Sequence, residues 1–262
     1  MLRITGRRAD GYHLLQTVFQ FLDLCDDLRF EITPHPEIEL TTPLPGVPPE
    51  KDLTVRAARL LQKAAGVKRG VRIWLRKKIP MGGGLGGGSS DAATTLWALN
   101  RLWGIHWPRK RLMELGVQLG ADVPIFLLGR AAWAEGIGER LQPIELEEPW
   151  YLLLFPGVEV STAQIFQDPD LSRHNPPLKR EDFLQGTRPN DCLETTLRHY
   201  PAVAEAFADL KRFGAAFMTG TGSTLFAPFK TRARARRVAE ELQKKWRVSV
   251  VRGRNLSPLF LL

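Results

Sequence analysis

The residues best suited to chemistry lie in a glycine-rich stretch, "KIPMGGGLGGGSSDAA", which runs from Lys78 to Ala93. Six of seven consecutive positions are glycine, and each glycine costs roughly 0.5–1 kcal/mol of ordering entropy relative to alanine. A predicted strand precedes the stretch and a predicted helix follows it, so both ends are fixed. Successive backbone N–H groups that lead into a helix N-terminus form a cradle for anions. The pattern therefore predicts phosphate binding rather than a flexible loop.

Two other phosphate-binding loops fit this stretch less well. Gly82, Gly84 and Gly87 satisfy the dinucleotide fingerprint G-x-G-x-x-G, which also needs an acidic residue about twenty positions further on. That region reads "WPRKRLME", which is the predicted start of a helix. A Walker loop ends in Gly-Lys-Ser/Thr, whereas this stretch continues from Gly88 to Ser89 without a lysine. The looser anion cradle is the favoured interpretation.

The elements that must position this loop can be predicted from periodicity and from start and stop signals. Strands are predicted in "LLQTVFQFLDL", "LRFEIT", "GVRIWLRKKIP" and the apolar "WYLLLFPG". Helices are predicted in "LTVRAARLLQKAAG", "SSDAATTLWALNRLWG", "RKRLMELGVQLG" and the region from Leu193 to Phe213, and hairpins in "AAWAEGIGERLQPI" and "AAFMTGTGSTLFAPF". Ser89, Ser90 and Asp91 suit the N-cap or the first turn of the helix after the loop.

Composition and charge exclude several classes of protein. The chain has 262 residues and a net charge of +9, of which +8 lies between Lys230 and Arg254. That segment also has apolar residues at helical spacing, so it is predicted to be an amphipathic helix with a basic, solvated face; an RNA surface is the alternative. Two distant cysteines exclude a disulfide scaffold and a cysteine-based zinc site, and the histidines are scattered without metal-type spacing. We expect a cytoplasmic protein, because no apolar run approaches the ~20 residues of a membrane span and the N-terminus does not read as a signal peptide.

Two further segments carry residues that are suited to catalysis or to ligand binding. Asp122 follows a predicted helix in "GADVP", where it is either an ionised catalytic carboxylate or the cap of its own turn before Pro124. In "DGYH", the ring of Tyr12 can stack on a nucleobase and His13 can hydrogen-bond its edge, although Tyr12 is equally suited to a half-buried strand. The residues alone leave both pairs of alternatives open.

The loop and several other segments together resemble the GHMP kinases, a family of small-molecule kinases. The matching segments are "ITGRRADGYHLLQTVFQFLDL", "PMGGGLGGGSSDAA", "LGADVPIFLLGRAAWAEGIGE", "IFQDP", "TGTGSTLFA" and "NLSPL", which span almost the whole chain. The triple-glycine loop with "RADGYH" and "GADVP" is similar to the branch that acts on a cytidine-diphosphate substrate. The resemblance implies a two-domain α+β fold, with a ribosomal-protein-S5-domain-2-like nucleotide domain in residues 1–147 and a ferredoxin-like domain in residues 148–262.

The resemblance also implies an activity and a set of site residues. The expected reaction is phosphorylation by ATP, with Mg²⁺, of the 2-hydroxyl of 4-diphosphocytidyl-2-C-methyl-D-erythritol in isoprenoid precursor synthesis. Asp122 is the expected general base, the metal ligands are unknown, and Tyr12 and Phe166 are expected to sandwich the cytosine, with His13 at its edge and Thr162 nearby. The expected ATP-binding residues are Asp52, Lys77, Pro80, Met81, Gly82, Gly83, Gly84, Leu85, Gly86, Gly87, Gly88, Ser89 and Ser90.

Some features depart from the family pattern. The family has a strand with the motif "PAKLNL" upstream of its "ITG" segment, and the lysine of that motif belongs to a catalytic pair with the aspartate. This sequence begins at "MLRITG", so we expect either that the natural chain extends upstream of Met1 or that activity is impaired. Asp52 stands where the family commonly has asparagine beside the adenine. The turn around Gly220 and Gly222 is expected to close on the substrate, or else to be a plain tight hairpin.

Three other functions compete with this expectation. The first is a GHMP kinase of the homoserine or mevalonate type, which should lack the cytidine-site residues. The second is an inactive nucleotide-binding homologue, and the third is an RNA-binding protein that uses the basic helix, whose binding should weaken steeply with salt. We expect a monomer or weak homodimer with no nucleic-acid or membrane partner.

Overall fold

The structure is a computed structural model that describes residues 1–260. Its strands, in chain order, are β1 (Leu2–Arg7), β2 (His13–Phe19), β3 (Phe21–Leu22), β4 (Asp27–Thr33), β5 (Ile38–Leu40), β6 (Gly70–Arg76), β7 (Ala132–Glu135), β8 (Arg140–Pro143), β9 (Trp150–Phe155), β10 (Phe217–Met218), β11 (Leu225–Phe229) and β12 (Arg247–Arg254). Its α-helices are α1 (Leu53–Ala65), α2 (Gly87–Leu102), α3 (Arg109–Gly116), α4 (Val123–Leu128), α5 (Thr162–Gln167), α6 (Arg180–Leu184), α7 (Leu193–His199), α8 (Pro201–Lys211) and α9 (Arg232–Leu242). The predicted α+β class is confirmed.

The chain forms two compact units from interleaved segments. Unit 1 contains Met1–Asp23, Met81–Leu85 and Ala131–Leu256, and unit 2 contains Leu24–Pro80, Gly86–Arg130 and the described residues from Ser257 onward. The division passes through the glycine loop, between Leu85 and Gly86. The sequential boundary between residues 147 and 148 that the resemblance implied stays a prediction.

Unit 2 packs four helices around a small sheet. The sheet has the order β4-β6-β5, with β6 antiparallel to β4 and parallel to β5. Its core consists of apolar side chains from β6 and the inner faces of the helices, among them Ile73, Leu61, Leu96, Leu112 and Leu127, each of which is fully buried. Burial of each such side chain contributes about 1.5–3 kcal/mol.

Helix α1 shows why the periodic segments could be predicted. Asp52 caps its N-terminus, because the carboxylate accepts hydrogen bonds from the backbone N–H groups of Thr54 and Val55. Gly66 ends the helix in the left-handed conformation at φ 64°, which a residue with a Cβ rarely adopts. The helix therefore occupies the residues that its sequence predicted.

Unit 1 contains two antiparallel sheets and the remaining α-helices of the described chain. One sheet has the order β1-β2-β7-β8, and the other has the order β10-β11-β9-β12-β3. β9 is central in the second sheet and its last four residues are buried, as the apolar run "LLLF" requires. The predicted hairpins β7–β8 and β10–β11 are both confirmed.

The first part of the basic segment forms the predicted helix, α9, whereas its last part is the strand β12. Ala235, Val238 and Leu242 are the buried residues of α9, while Arg232 and Arg236 are exposed on its outer face. The helix is thus amphipathic, with a basic surface over an apolar contact. None of the helices in residues 1–260 combines the length and the apolar character that crossing a bilayer would need.

Candidate active site

The second half of the glycine loop is the start of α2, within unit 2. The helix begins at Gly87, and Gly86 is its N-cap residue at φ 68°. The prediction that Ser89, Ser90 or Asp91 could be the N-cap is therefore wrong, since the helix starts two residues before Ser89 and no side chain caps it. Ser89 and Ser90 lie in the first turn, which was the other position predicted for them. The backbone N–H groups of a first turn have no partner within the helix, so they are available to an anion.

The glycines of this helix start pack closely against other residues of the protein. A Cβ at Gly87 would lie 3.0 Å from Cγ2 of Ile79 and 3.1 Å from Nζ of Lys77. A Cβ at Gly88 would lie 3.1 Å from Cδ1 of Leu53. These distances are tighter than ordinary van der Waals contact, so with a larger residue the neighbouring side chains or the helix start would have to shift by a few tenths of an ångström. The backbone of α2 is thus held against the end of β6 and the start of α1.

A cluster of three buried charged side chains lies beside this helix start. The Lys77 ammonium donates a hydrogen bond to Asp26 and another, 2.8 Å long, to Asp91. The second carboxylate oxygen of Asp26 accepts from the backbone N–H groups of Lys78 (2.6 Å) and Ile79 (2.9 Å). Side-chain exposure is 14% for Lys77, 1% for Asp26 and 4% for Asp91. We call Lys77, Asp26 and Asp91 the charge cluster.

Burial sets the protonation behaviour of the charge cluster. Loss of hydration raises the pKa of Asp91 to about 7, although the ammonium of Lys77 acts in the opposite direction. Burial also acts to lower the pKa of Lys77, but the charges and hydrogen bonds of Asp91 and Asp26 outweigh it, so the pKa of Lys77 is raised. Lys77 is therefore a fixed positive charge at neutral pH.

Asp122 lies at the N-terminus of α4, also in unit 2. Its side chain makes no capping hydrogen bond, and within residues 1–260 its carboxylate has no hydrogen bond or ion pair. The residue is exposed, yet the surrounding protein desolvates the carboxylate and raises its pKa. A Cβ at Gly120, two residues earlier, would lie 4.0 Å from Oγ of Ser89, so the first turn of α2 adjoins the Asp122 turn. An accessible, unpaired carboxylate of raised basicity is suited to accept a proton.

The first half of the glycine loop is held by the turn around Gly220 and Gly222, which we call the second glycine turn; both lie within unit 1. The backbone N–H of Thr224 donates to the carbonyl of Gly83 (3.1 Å), and the hydroxyl of Thr219 donates to the same oxygen (3.3 Å). A Cβ at Gly84 would lie 2.5 Å from the carbonyl oxygen of Gly222. The turn, which sequence reasoning left as either a substrate contact or a plain hairpin, thus fixes the path of the loop.

A second group of predicted residues lies elsewhere in unit 1. The rings of His13 and Phe166 stack, with centroids 4.8 Å apart, and the side chain of Tyr12 is 60% exposed. Nε2 of His13 is buried and has no hydrogen-bond partner in the described chain. Burial, and then the charges of Arg173 and Arg7, lower the pKa of His13, so the ring is neutral at pH 7. A neutral ring with one unused buried nitrogen needs a polar partner, which a ligand can supply.

Thr162 begins α5 and faces the second glycine turn. Its hydroxyl lies 3.0 Å from the hydroxyl of Thr221. Arg173 anchors the other end of this short helix, because its guanidinium donates to the backbone carbonyls of Phe166 and Asp168. Phe166 is therefore held at both the backbone and the ring.

Comparisons with known proteins agree with this arrangement. A sequence model of the GHMP kinases N terminal domain matches residues 52–130, and one of the GHMP kinases C terminal domain matches residues 178–248. A protein of Methylococcus capsulatus named 4-diphosphocytidyl-2-C-methyl-D-erythritol kinase is 55% identical over 260 residues, which is 99% of this chain and 89% of that protein.

The chain belongs to the GHMP kinase family.

Solved structures show the same fold. A crystal structure of 4-(cytidine 5'-diphospho)-2C-methyl-D-erythritol kinase matches with a TM-score of 0.84 and 37% identity, over 96% of this chain and 94% of that one. The mevalonate kinase of Methanococcus jannaschii matches with a TM-score of 0.68 but only 14% identity, over 94% and 99% of the two chains. The two-domain GHMP fold that the sequence implied is therefore confirmed.

The structure of this GHMP kinase brings together some of the predicted site residues. Within unit 2, Lys77 and Ser89 adjoin the start of α2, and the Asp122 turn lies beside Ser89. Asp52 caps α1 and is only 4% exposed, so its carboxylate is already occupied by backbone N–H groups; its contact with adenine stays a prediction. Within unit 1, the stacked partner of Phe166 is His13, and the predicted sandwich between Tyr12 and Phe166 stays a prediction.

Sequence reasoning missed several residues that shape these sites. Asp26 was not singled out, Asp91 was interpreted as a helix cap, and Arg173 went unnoticed. A signal for Asp26 was present, because an acidic pair lies at the start of β4 and a lysine pair follows β6. Antiparallel pairing of these strands, with Asp27 opposite Arg76, brings the two pairs together. Arg173 had no local signal, since its partners are backbone carbonyls.

Proposed function

We propose that this GHMP kinase transfers the γ-phosphoryl group of ATP to the 2-hydroxyl of 4-diphosphocytidyl-2-C-methyl-D-erythritol, a step in isoprenoid precursor synthesis. The observation that carries the proposal is the Asp122 carboxylate, which is accessible, unpaired in the described chain and adjacent to the first turn of α2. The relative at 55% identity that bears the name of this enzyme supports the choice of substrate. The mevalonate kinase at 14% identity supports only the fold.

Asp122 acts as the base that orients the substrate hydroxyl and accepts its proton. Its carboxylate makes no hydrogen bond in residues 1–260 that the substrate would have to displace. Desolvation raises its pKa, which makes it a stronger base than a carboxylate in water. Phosphoryl transfer of this kind needs positioning and charge stabilisation more than covalent chemistry.

The helix start and Lys77 bind the triphosphate of ATP. The free N–H groups of the first turn of α2 and the positive end of its dipole favour an anion there. The ammonium of Lys77 lies at the same place, since it packs against the Cβ position of Gly87. It shares its charge with the carboxylates of Asp26 and Asp91. Residues Pro80 to Gly86 approach the nucleotide along the remaining part of the loop.

Mg²⁺ fits the donors of this region, although no group of three or more metal-binding side chains is found in residues 1–260. Mg²⁺ is commonly held by one or two protein oxygens together with phosphate oxygens and water. The hydroxyls of Ser89 and Ser90 are half-buried oxygen donors in the first turn of α2 and would hold it there. When bound, the ion neutralises charge on the phosphates.

The cytidine moiety binds in unit 1. Tyr12 offers an exposed ring for stacking, and Phe166 offers a second ring on a residue whose backbone carbonyl is held by Arg173. The Nε2 of His13, which has no hydrogen-bond partner in the described chain, suits the polar edge of a base. Thr162 supplies a hydroxyl nearby. We further propose that the enzyme is cytoplasmic, where ATP is available, that it is a monomer or weak homodimer, and that it takes no nucleic-acid partner.

The test is replacement of Asp122 by Asn and by Ala. Turnover of the cytidylyl substrate should fall about 10³-fold or more, because general-base catalysis alone is worth about 10²–10⁴-fold. KM for ATP and the urea midpoint of unfolding should remain those of the original enzyme. Asp170→Asn, which removes a carboxylate that is 72% exposed, is the matched control and should keep full turnover. Turnover of Asp122→Asn within a few-fold of the control would refute the assignment.

A further inference from the structure

Asp26 lies at the base of the segment that leads into the glycine loop. One carboxylate oxygen accepts hydrogen bonds from two successive backbone N–H groups, those of Lys78 and Ile79. The other oxygen accepts from the ammonium of Lys77. A single side chain thus fixes both the backbone and the preceding side chain of three consecutive residues just before Pro80.

The position of Lys77 suits the binding of an anion at the start of α2. Its ammonium packs against the first residue of α2, since a Cβ at Gly87 would lie only 3.1 Å away. A cation at a helix N-terminus is repelled by the macrodipole, and its burial also costs hydration. The carboxylates of Asp26 and Asp91 offset these costs. An anion bound at the helix start would also attract both the ammonium and the N–H groups of the first turn.

The neighbouring pair provides a contrast within the same two strands. Asp27 and Lys78 also form an ion pair, 2.8 Å long, but their side chains are 51% and 42% exposed. Asp27 accepts no hydrogen bond from the segment that leads into the loop other than that of the Lys78 ammonium. A difference between the kinetic effects of replacing Asp26 and Asp27 therefore reflects position and burial rather than charge.

We propose that Asp26 is a positioning residue for ATP: it holds Lys77 and the backbone of residues 78 and 79 so that the ammonium and the start of α2 together meet the triphosphate. The proposal rests on the proposed function, because it assumes that the helix start binds ATP. Asp26 itself contacts no phosphate, and its effect passes through Lys77 and the loop backbone.

The test compares Asp26→Asn with Asp27→Asn in the full chain. Both changes remove one negative charge and one lysine partner. Asp26→Asn should raise KM for ATP about tenfold, as loss of one charge-assisted hydrogen bond would. Its kcat should stay within about threefold of the original, and KM for the cytidylyl substrate should not change. Asp27→Asn should leave all three parameters unchanged.

A double variant separates positioning from general destabilisation. In a Lys77→Met background, Asp26→Asn should raise KM for ATP by a smaller factor than in the original enzyme, because only the contacts of Asp26 with the backbone N–H groups of Lys78 and Ile79 remain to be lost. Equal effects of Asp26→Asn with and without Lys77, or parallel changes in both KM values, would overturn the proposal. The same kinetic values in Asp26→Asn and Asp27→Asn would also overturn it. Failure of the proposed function looks different, since the unaltered enzyme would then show no turnover with ATP and the cytidylyl substrate.

Discussion

Replacement of Gly84 by alanine tests whether the second glycine turn fixes the path of the loop. Gly84 has a φ of +71°, and a Cβ there would lie 2.5 Å from the carbonyl oxygen of Gly222 and 2.9 Å from the hydroxyl of Thr219. Ordinary contact begins near 3.4 Å, so the backbone must move by about 0.9 Å, given that the nearer neighbour is itself backbone. The hydrogen bonds to Gly83 oppose this movement.

The expected magnitude has two parts. The left-handed conformation costs a residue with a Cβ about 1–2 kcal/mol, and overpacking costs about 1–3 kcal/mol. The free energy of unfolding should therefore fall by about 2–5 kcal/mol. Gly157→Ala is the matched control in the same unit, since Gly157 has a φ of +77° and no atom within 4 Å of its Cβ position. It should lose only the conformational part.

Urea unfolding and steady-state kinetics measure the two consequences. Because a misplacement of about 1 Å can cost about 10²-fold in catalysis, kcat/KM for ATP should fall by about that factor in Gly84→Ala. Gly157→Ala should keep its kcat/KM. If the two variants lose the same free energy and Gly84→Ala keeps its kcat/KM for ATP, the turn does not constrain the loop and the reasoning is wrong.

Three further outcomes follow from the geometry. Phe166→Ala should raise KM for the cytidylyl substrate by about one to two decades, as loss of base stacking would, and should leave KM for ATP unchanged; equal shifts in both would contradict it. The hydrogen bond from His199 lowers the pKa of Asp168 to about 2, so Asp168→Asn should destabilise the fold at pH 7, and the difference should shrink as the pH falls from about 4 to 2 in acid unfolding. The pKa of Asp91 is raised to about 7, so its ionisation removes stability as the pH rises from about 4 to 8. Asp91→Asn should therefore gain stability relative to the original enzyme over that range, and a flat difference would refute the shift.

The elements with strong local signals could be predicted from the sequence. α1 has a capping aspartate, an apolar face and a terminal glycine, and the buried β9 has an uninterrupted apolar run. These signals act within a few residues, so they need no knowledge of the rest of the chain. The start of α2 was placed too late because serine and aspartate are common caps, whereas here a glycine at φ 68° takes that position and Asp91 is drawn into an ion pair with Lys77.

Contacts between distant segments could not be predicted from local signals. Lys77 and Asp26 are 51 residues apart, and the partner of Gly83, Thr224, lies in a different part of the sequence altogether. The grouping of Met1–Asp23 with Ala131–Leu256 in one compact unit likewise depends on strand pairing across the chain. The resemblance to a family supplied the site residues that such pairing brings together, but it did not supply the contacts that hold them.

The packing of the loop changes the explanation of its composition. Sequence reasoning attributed the glycines to the approach of a polyphosphate, yet the Cβ positions of Gly84, Gly87 and Gly88 point at Gly222, Lys77 and Leu53 of the protein itself. The absence of side chains therefore lets other residues of the protein pack closely against one side of the loop. Because the backbone is held in place before ligand arrives, little ordering entropy remains to be lost on binding. A loop with glycines only where a ligand approaches would lack this support, and its N–H groups would have to be ordered by the nucleotide.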